Sequence, residues 1–447
     1  MQALTWHGKR DVRVESVPDP QIEEPTDAII EVTSTAICGS DLHLYELLGM
    51  WLEEGDILGH EAMGVVQEVG TEVTNLQPGD RVVVPFNISC GHCYMCDQDL
   101  FAQCETTQVR EYDKGAALLG YTKLYGQVPG GQAEYLRVPQ AQFGPVKVPH
   151  DHPDQRFLYL SDVLPTAWQA VAFADVPQGG SLTVFGLGPI GQFCARIARY
   201  HGIETVIGVD RVPERLEMAR RHGVDVIDLR EQRDVGTAIR QRTQGRGTDG
   251  VIDAVGMEAH GWPAASAALK AASYLPDRIS TTISERMGVD PMDALLASFD
   301  AVRRGGTVSI VGVYAGQTDP FPMLDLFDKG VQLRMGQAHV KRWTGDILNV
   351  LLEDDDILGT GDMCTHSLPL EQAPQGYALF QKKLDNAIKV VLEPGRSNGR
   401  TDDRTTGSAD EPAERRAVVD PGIGTDINAG LDPDIDIARQ ADTRVQD

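Results

Sequence analysis

The sequence predicts an α/β chain: a mostly β first domain, then a doubly wound parallel sheet, then a disordered acidic C-terminal tail. Three observations predict it. Up to about Asp162, short β-branched runs such as "DAIIEVTSTAI", "AMGVVQEVG", "DRVVVPF" and "EYLRVP" are separated by Gly and Pro turns. Beyond that point strands alternate with amphipathic helices, from "SLTVFGLG" and "IGQFCARIARYHG" through "ETVIGVD", "PERLEMARRHG" and "GVIDAVG" to "GTVSIVGV". Such alternation requires crossover connections and a parallel sheet covered on both faces. From Gly395 onward the chain is rich in Asp, Arg, Gly, Thr and Pro and nearly free of large apolar residues, so it cannot bury enough surface to offset its ordering entropy.

The 447 residues suffice for two or three domains with well-buried cores. No run of about 20 apolar residues appears, and "MQALTWHGKRDVRVESVPDP" lacks the charged-then-apolar order of a secretory signal. The expectation is a cytoplasmic protein with no membrane partner. Sixty-six acidic residues against forty Lys and Arg give a net charge of −26, which repels phosphate backbones and excludes nucleic acid as a partner. Thirty of the forty basic residues are Arg, and the acidic excess is spread along the chain. The pattern is similar to proteins of salt-loving organisms; an ordinary acidic bacterial enzyme is the other reading.

Between Ala271 and Arg304 the chain is longer than a simple crossover needs, which predicts an inserted loop or helix. The glycines of "GLGPIG" follow an apolar strand and open a helix, the context that G-x-G-x-x-G requires. Gly186 allows the tight turn, Gly188 lets the backbone approach a pyrophosphate, and Gly191 lets helix and strand pack closely. Pro189 and Ile190 lie between them at the helix start. Asp210 ends the next strand, where a carboxylate can accept from an adenosine ribose and repel a 2′-phosphate, favouring NAD. Arg211 and Arg215 beside it can instead attract that phosphate, so NADP is not excluded.

Cys90, Cys93, Cys96 and Cys104 follow C-x2-C-x2-C-x7-C, a spacing that wraps four thiolates around one tetrahedral Zn²⁺ and closes its shell. An iron–sulfur centre is the competing reading, and His92 is expected to be a bystander. A reactive metal needs fewer, mixed ligands and an open position. Candidates are Cys38 in "AICGSDLH", His60 and Glu61 in "LGHEAMG", and Asp162 in "LYLSDVLPT". Singly, each also reads as a buried thiol, a core histidine or a helix cap.

CGSDLH, GHEAMGVVQEVG, PGDRVVV, the four-cysteine lobe and GLGPIG, in this order, resemble the zinc-containing medium-chain alcohol dehydrogenases over about residues 1–394. The resemblance implies a GroES-like catalytic domain with a zinc lobe over 1–162, a Rossmann NAD-binding domain over 163–337, a return to the catalytic domain over 338–394, and the tail over 395–447. It implies two zinc ions per chain. Cys38, His60 and Asp162 would hold the catalytic one with Glu61 close by, Asp41 would support His60, and the four cysteines would hold the structural one. Asp162 stands where most members have a cysteine, and resembles the glutathione-independent formaldehyde dehydrogenase branch, as do "GQAHVKRW" and "APQGYALFQKK".

The same resemblance gives Ser40 and His43 a proton relay from the substrate oxygen to solvent. It places Gly39, Thr166, Val255 and the backbone of Gly312 and Val313 around the cofactor, with Lys389 reaching its phosphates. His260 and His339 are possible lining residues, and Trp51, Phe101 and Tyr121 are candidates for the substrate pocket. The reaction expected is hydride transfer between an alcohol or aldehyde hydrate and NAD in a homodimer or homotetramer. Two alternatives stand beside it: a polyol or amino-alcohol dehydrogenase of the sorbitol or threonine type, and a non-catalytic zinc- and nucleotide-binding protein.

Overall fold

A computed structural model describes residues 1–46, 49–256, 292–314 and 321–395. His260, the insert up to residue 291, and the tail from residue 396 lie outside the described residues. The end of the predicted insert is the helix Asp293–Ala301 leading into the strand Val302–Ile310.

The first sheet is organised around Ala28–Ile37, whose β-branched sequence is buried along most of its length. It pairs antiparallel with Glu61–Val69 on one side and with Val390–Glu393 on the other. Arg81–Val84 and Val146–Lys147 extend the sheet beyond Glu61–Val69, and His366–Pro369 extends it beyond Val390–Glu393. The register sets Ala36 opposite Glu61 and Ile37 opposite Val390. Val390–Glu393, more than 300 residues further along the chain, thus ends beside the two early strands.

The second sheet is parallel throughout, in the order Asp225–Asp228, Thr205–Asp210, Ser181–Phe185, Thr248–Asp253, Val302–Ile310 and Gln332–Met335. Numbered along the chain, this is the doubly wound order 3-2-1-4-5-6 of a Rossmann fold, whose ligand crevice opens between Ser181–Phe185 and Thr248–Asp253. The glycine loop sits on that crevice. Gly186 has φ +82°, and a side chain at Gly191 would place Cβ 1.8 Å from the Gly186 carbonyl oxygen. Pro189 occupies the first helical turn of Pro189–Tyr200, where its missing N–H costs nothing.

The helix Val163–Ala174 joins the halves and is buried over nearly its whole surface. One apolar core runs beneath it, from Ala36, Met63 and Val83 of the first sheet to Leu182 and Val184 of the second and Phe193 of the helix Pro189–Tyr200. No helix among the described residues is long and apolar enough to cross a membrane. Because the Gly191 approach is backbone against backbone, Gly191→Ala is expected to lower stability by about 1–3 kcal/mol in urea denaturation. The same variant should weaken NADH binding, measured by fluorescence titration, because the glycine turn must open to admit the methyl group.

Candidate metal and nucleotide sites

Cys38 follows the central strand, His60 and Glu61 begin its neighbour, and Asp162 precedes the joining helix. The strand register brings these positions together, and one donor atom from each lies within 4.8 Å of all the others. Asp162 Oδ2 is 3.4 Å from both Cys38 Sγ and His60 Nε2, and all four residues are buried. Glu61 Oε2 has no hydrogen-bond partner among the described residues. An orphaned buried carboxylate oxygen beside a thiol, an imidazole and a second carboxylate suits a divalent cation of intermediate softness, and zinc fits this donor set.

The electrostatics agree. Burial pushes the Cys38 thiol up to about 11, reinforced by Asp162 and Glu61. Burial also raises Glu61, against the opposing charge of Lys389. For His60, burial lowers the pKa but the charge of Asp41, with Asp162 and Cys38 close by, raises it well above its ordinary value. Asp162 moves down despite burial, held by His60 and Thr166. The protons on this cluster are the ones a cation would displace.

Asp41 is the hub behind His60. Its Oδ1 lies 3.1 Å from His60 Nδ1, an ion-pair distance without hydrogen-bond alignment. Its Oδ2 accepts from Cys38 N at 2.9 Å and from Gln132 Nε2 at 3.3 Å. Tyr377 donates in turn to Gln132 Oε1 at 2.8 Å. Gln132 and Tyr377 were not legible as site residues, since only tertiary packing places them behind Asp41. Ser40 Oγ lies 3.1 Å from His60 Nε2, and the Tyr121 ring stands edge-on to the same imidazole at 5.5 Å. Phe86 flanks the same imidazole at 6.1 Å. His43 lies three residues beyond Ser40 on the helix Gly39–Glu46, half-buried, and Gly39 begins that helix.

Several expected placements change. Lys389 does not extend toward a phosphate site: it is fully buried and ion-paired with Glu61, because Val390 pairs with Ile37 and drops the preceding lysine beside the metal donors. Burial opposes the Lys389 charge, but Glu61 and Cys38 outweigh it and raise its pKa. Thr166 gives its hydroxyl proton to Asp162 Oδ1 at 2.8 Å. Phe101 packs in the cysteine lobe against Phe143, away from the metal donors. Trp51 is half-buried with Lys123 over its ring at 6.0 Å. His339 joins the lobe instead of lining the cleft: Ala102 N donates to its Nδ1 at 3.1 Å, while its own N–H donates to Gln169.

The four lobe cysteines are free thiols with Sγ separations of 4.0 Å for Cys90–Cys96 and 3.9 Å for Cys93–Cys104. A tetrahedron with Zn–S of about 2.3 Å has edges of about 3.8 Å, so the separations fit zinc and are far too long for disulfides. Backbone N–H groups of Cys90, His92 and Glu105 point at the sulfurs of Cys104, Cys90 and Cys93, and Thr106 donates to Cys90. Such donors hold thiolates: despite burial, amides at Cys96 and Glu105 bring Cys93 down to about 6. His92 turns to its own loop, Nδ1 3.2 Å from the Cys90 carbonyl.

In the nucleotide crevice Asp210 accepts from Leu187 N at 2.7 Å, Arg211 N at 2.6 Å and Val212 N at 2.8 Å. A carboxylate has about four lone-pair sites, so one remains for a ribose hydroxyl. Arg215 lies 3.8 Å from Asp210 across Gly188, and Arg211 is exposed. Val255 packs on Gly186, and Gly312 and Val313 meet Gly256, so the segments expected to contact the nicotinamide do adjoin the glycine loop. Asp253, missed in the sequence, binds them together: its side chain accepts from Val255 N and Tyr314 Oη, and its carbonyl accepts from Val311 N and Gly312 N.

The family descriptions that match are "Alcohol dehydrogenase GroES-like domain" over residues 24–150 and "Zinc-binding dehydrogenase" over residues 189–272. An uncharacterised zinc-type alcohol dehydrogenase-like protein of Bacillus subtilis is 39% identical over 397 residues, 88% of this chain and 100% of its own. Formaldehyde dismutase of Pseudomonas putida is 34% identical over 88% of this chain and 97% of its own. Among solved structures, an alcohol dehydrogenase from Thermus sp. ATN1 is similar at a TM-score of 0.73 and 32% identity, covering 88% of this chain and 99% of that one. These identities single out no one branch, so the expected special closeness to formaldehyde dehydrogenases does not stand out.

Two expectations follow. Lys389→Met leaves a buried carboxylate without its counter-charge and should cost about 3–5 kcal/mol in denaturant titration, while Glu61→Gln added to it should recover most of that loss. Burial lowers the His339 pKa to about 4, with Arg342 adding to the effect. The neutral ring is therefore the folded form: its contribution is complete above about pH 6.5 and lost as pH falls toward 4. The stability difference between wild type and His339→Gln, from urea midpoints, should shrink across that window.

Proposed function

The chain belongs to the zinc-type medium-chain alcohol dehydrogenase superfamily and is a zinc-binding, NAD(P)-dependent oxidoreductase; from that premise we propose that it oxidises small alcohols or aldehyde hydrates with NAD. The observation that carries the reading is the convergence of Cys38, His60 and Asp162, with Glu61 alongside, in one buried mixed-donor cluster. We take 1–162 with 338–394 as the catalytic part and 163–337 as the cofactor part. Zinc in the mixed-donor site supplies a Lewis acid that makes an alcohol or hydrate oxygen acidic, and NAD accepts the hydride.

The chain's own groups handle the proton. Ser40 is the first acceptor, supported by its 3.1 Å approach to His60 Nε2. His43, on the same helix, carries the proton onward to solvent. Phe86 and Tyr121 wall the site with aromatic surface and favour a small substrate. A formaldehyde-type substrate is supported by Asp162 in place of a thiolate, which keeps the site harder and more electrophilic, and by the similarity to a protein named formaldehyde dismutase. NAD is favoured by the acceptor site left on Asp210. Glu61, Asp41, Gly39, Val255, Gly312 and Val313 keep the supporting roles expected of them, whereas Lys389 is reassigned to Glu61.

A homo-oligomer is supported by the strand Gln332–Met335, which among the described residues is paired on one side only, and by the exposed apolar residues Leu324, Phe327 and Met335. The functional reading is tested by steady-state kinetics on formaldehyde and short alcohols with NAD and with NADP. NAD should be preferred by on the order of tenfold or more in kcat/KM, about 1.4 kcal/mol. Turnover confined to polyols or to threonine would overturn the substrate assignment.

A further inference from the structure

Asp162 occupies the N-cap of the helix Val163–Ala174, yet its side chain accepts no capping bond from the helix backbone. An N-cap aspartate ordinarily accepts from the N–H of the second or third helical residue. Here the third is Pro165, which has no N–H to offer. The carboxylate makes no bond to the remaining donor, Leu164 N, and turns away from the helix backbone. One turn on, Thr166 meets it instead: the Thr166 backbone N–H donates to the Asp162 carbonyl at 2.9 Å, and its hydroxyl donates to Oδ1 at 2.8 Å. Oδ2 is left facing Cys38 Sγ and His60 Nε2. Asp162 is 6% exposed and Thr166 9%, so water does not compete effectively for either oxygen.

We propose that Thr166 is the positioning residue of the Asp162 metal ligand, fixing one carboxylate oxygen so that the other alone is presented to zinc. The proposal rests on the catalytic-zinc reading and deepens it. A carboxylate with both oxygens free can swing or grip a metal through both, which would occupy the position a substrate needs. A β-branched side chain in a helix has few rotamers, so the Thr166 hydroxyl makes a stiff tether. The hydroxyl has one proton, and giving it to Asp162 leaves only lone pairs for any cofactor group that approaches from the other side. A cysteine at position 162 would offer a single donor atom and need no such restraint.

The test is competitive chelation of zinc from the intact protein, with metal content measured on wild type, Thr166→Val, Thr166→Ala and Thr166→Ser. Outer-sphere partners of metal ligands are typically worth about 10–100-fold in affinity. Thr166→Val and Thr166→Ala should each weaken one of the two zinc ions by that factor and leave the cysteine-lobe zinc unchanged. Thr166→Ser keeps the hydroxyl and should stay close to wild type. In an Asp162→Cys background, adding Thr166→Val should produce no further weakening of that zinc. Should Thr166→Val not fold, Thr166→Ala against Thr166→Ser makes the same comparison. Wild-type affinity in the variants lacking the hydroxyl overturns the assignment, as does equal loss of both ions, the mark of a merely structural role. Wild type binding only one zinc would overturn the catalytic-zinc reading itself, and the Thr166 assignment with it.

Discussion

The buried ion pair of Glu61 with Lys389 is the constraint around which the metal-donor cluster is arranged. Both side chains are wholly excluded from solvent, among three further acidic groups at Cys38, Asp41 and Asp162. Carboxylates crowded into a low-dielectric interior repel one another and lose their hydration, so they persist only with compensating positive charge. One lysine supplies part of that compensation from the protein. The orphaned Glu61 oxygen and the raised Cys38 thiol mark the part left for a bound cation. Holding the lysine requires the strand Val390–Glu393 beside Ala28–Ile37, and this is why the C-terminal segment must come back to the first sheet.

Motifs whose chemistry is local were legible in the sequence. The four lobe cysteines lie within fifteen residues, and the glycine turn states its own backbone requirement, so spacing alone located both. The scattered donors Cys38, His60, Glu61 and Asp162 became legible only as a set, through family resemblance, because each has an ordinary core or capping explanation. Residues that depend on register were not legible. Lys389 looked like a cationic arm for phosphate until strand pairing placed it against Glu61, and Phe101 looked like pocket lining until the lobe folded over it. Gln132, Tyr377 and Asp253 carry no motif at all; their partners are set by tertiary packing.

The side chains packed behind His60 show how buried polar groups can support one another. Tyr377 donates to Gln132 and Gln132 donates to Asp41, which in turn stands at ion-pair distance from His60. Gln169 does comparable work on the joining helix, where its carbonyl oxygen accepts from His339 N and Trp343 Nε1 while its amide reaches Gln337 O. His339 then accepts from Ala102 in the cysteine lobe. The lobe is thereby tied to the joining helix through two side chains.

The apolar core that passes under the helix Val163–Ala174, from Met63 and Val83 to Leu182 and Phe193, has a mechanical consequence. Close-packed side chains resist being parted but tolerate sliding by small steps. Relative movement of the two sheets is therefore accommodated most readily as small slides along this helix. The helix begins at Asp162, so each such slide would move a metal ligand relative to the strands that hold the others. Sheet placement and ligand geometry are in this way coupled, and a slide that adjusts the grip on a cofactor also adjusts the grip on the metal.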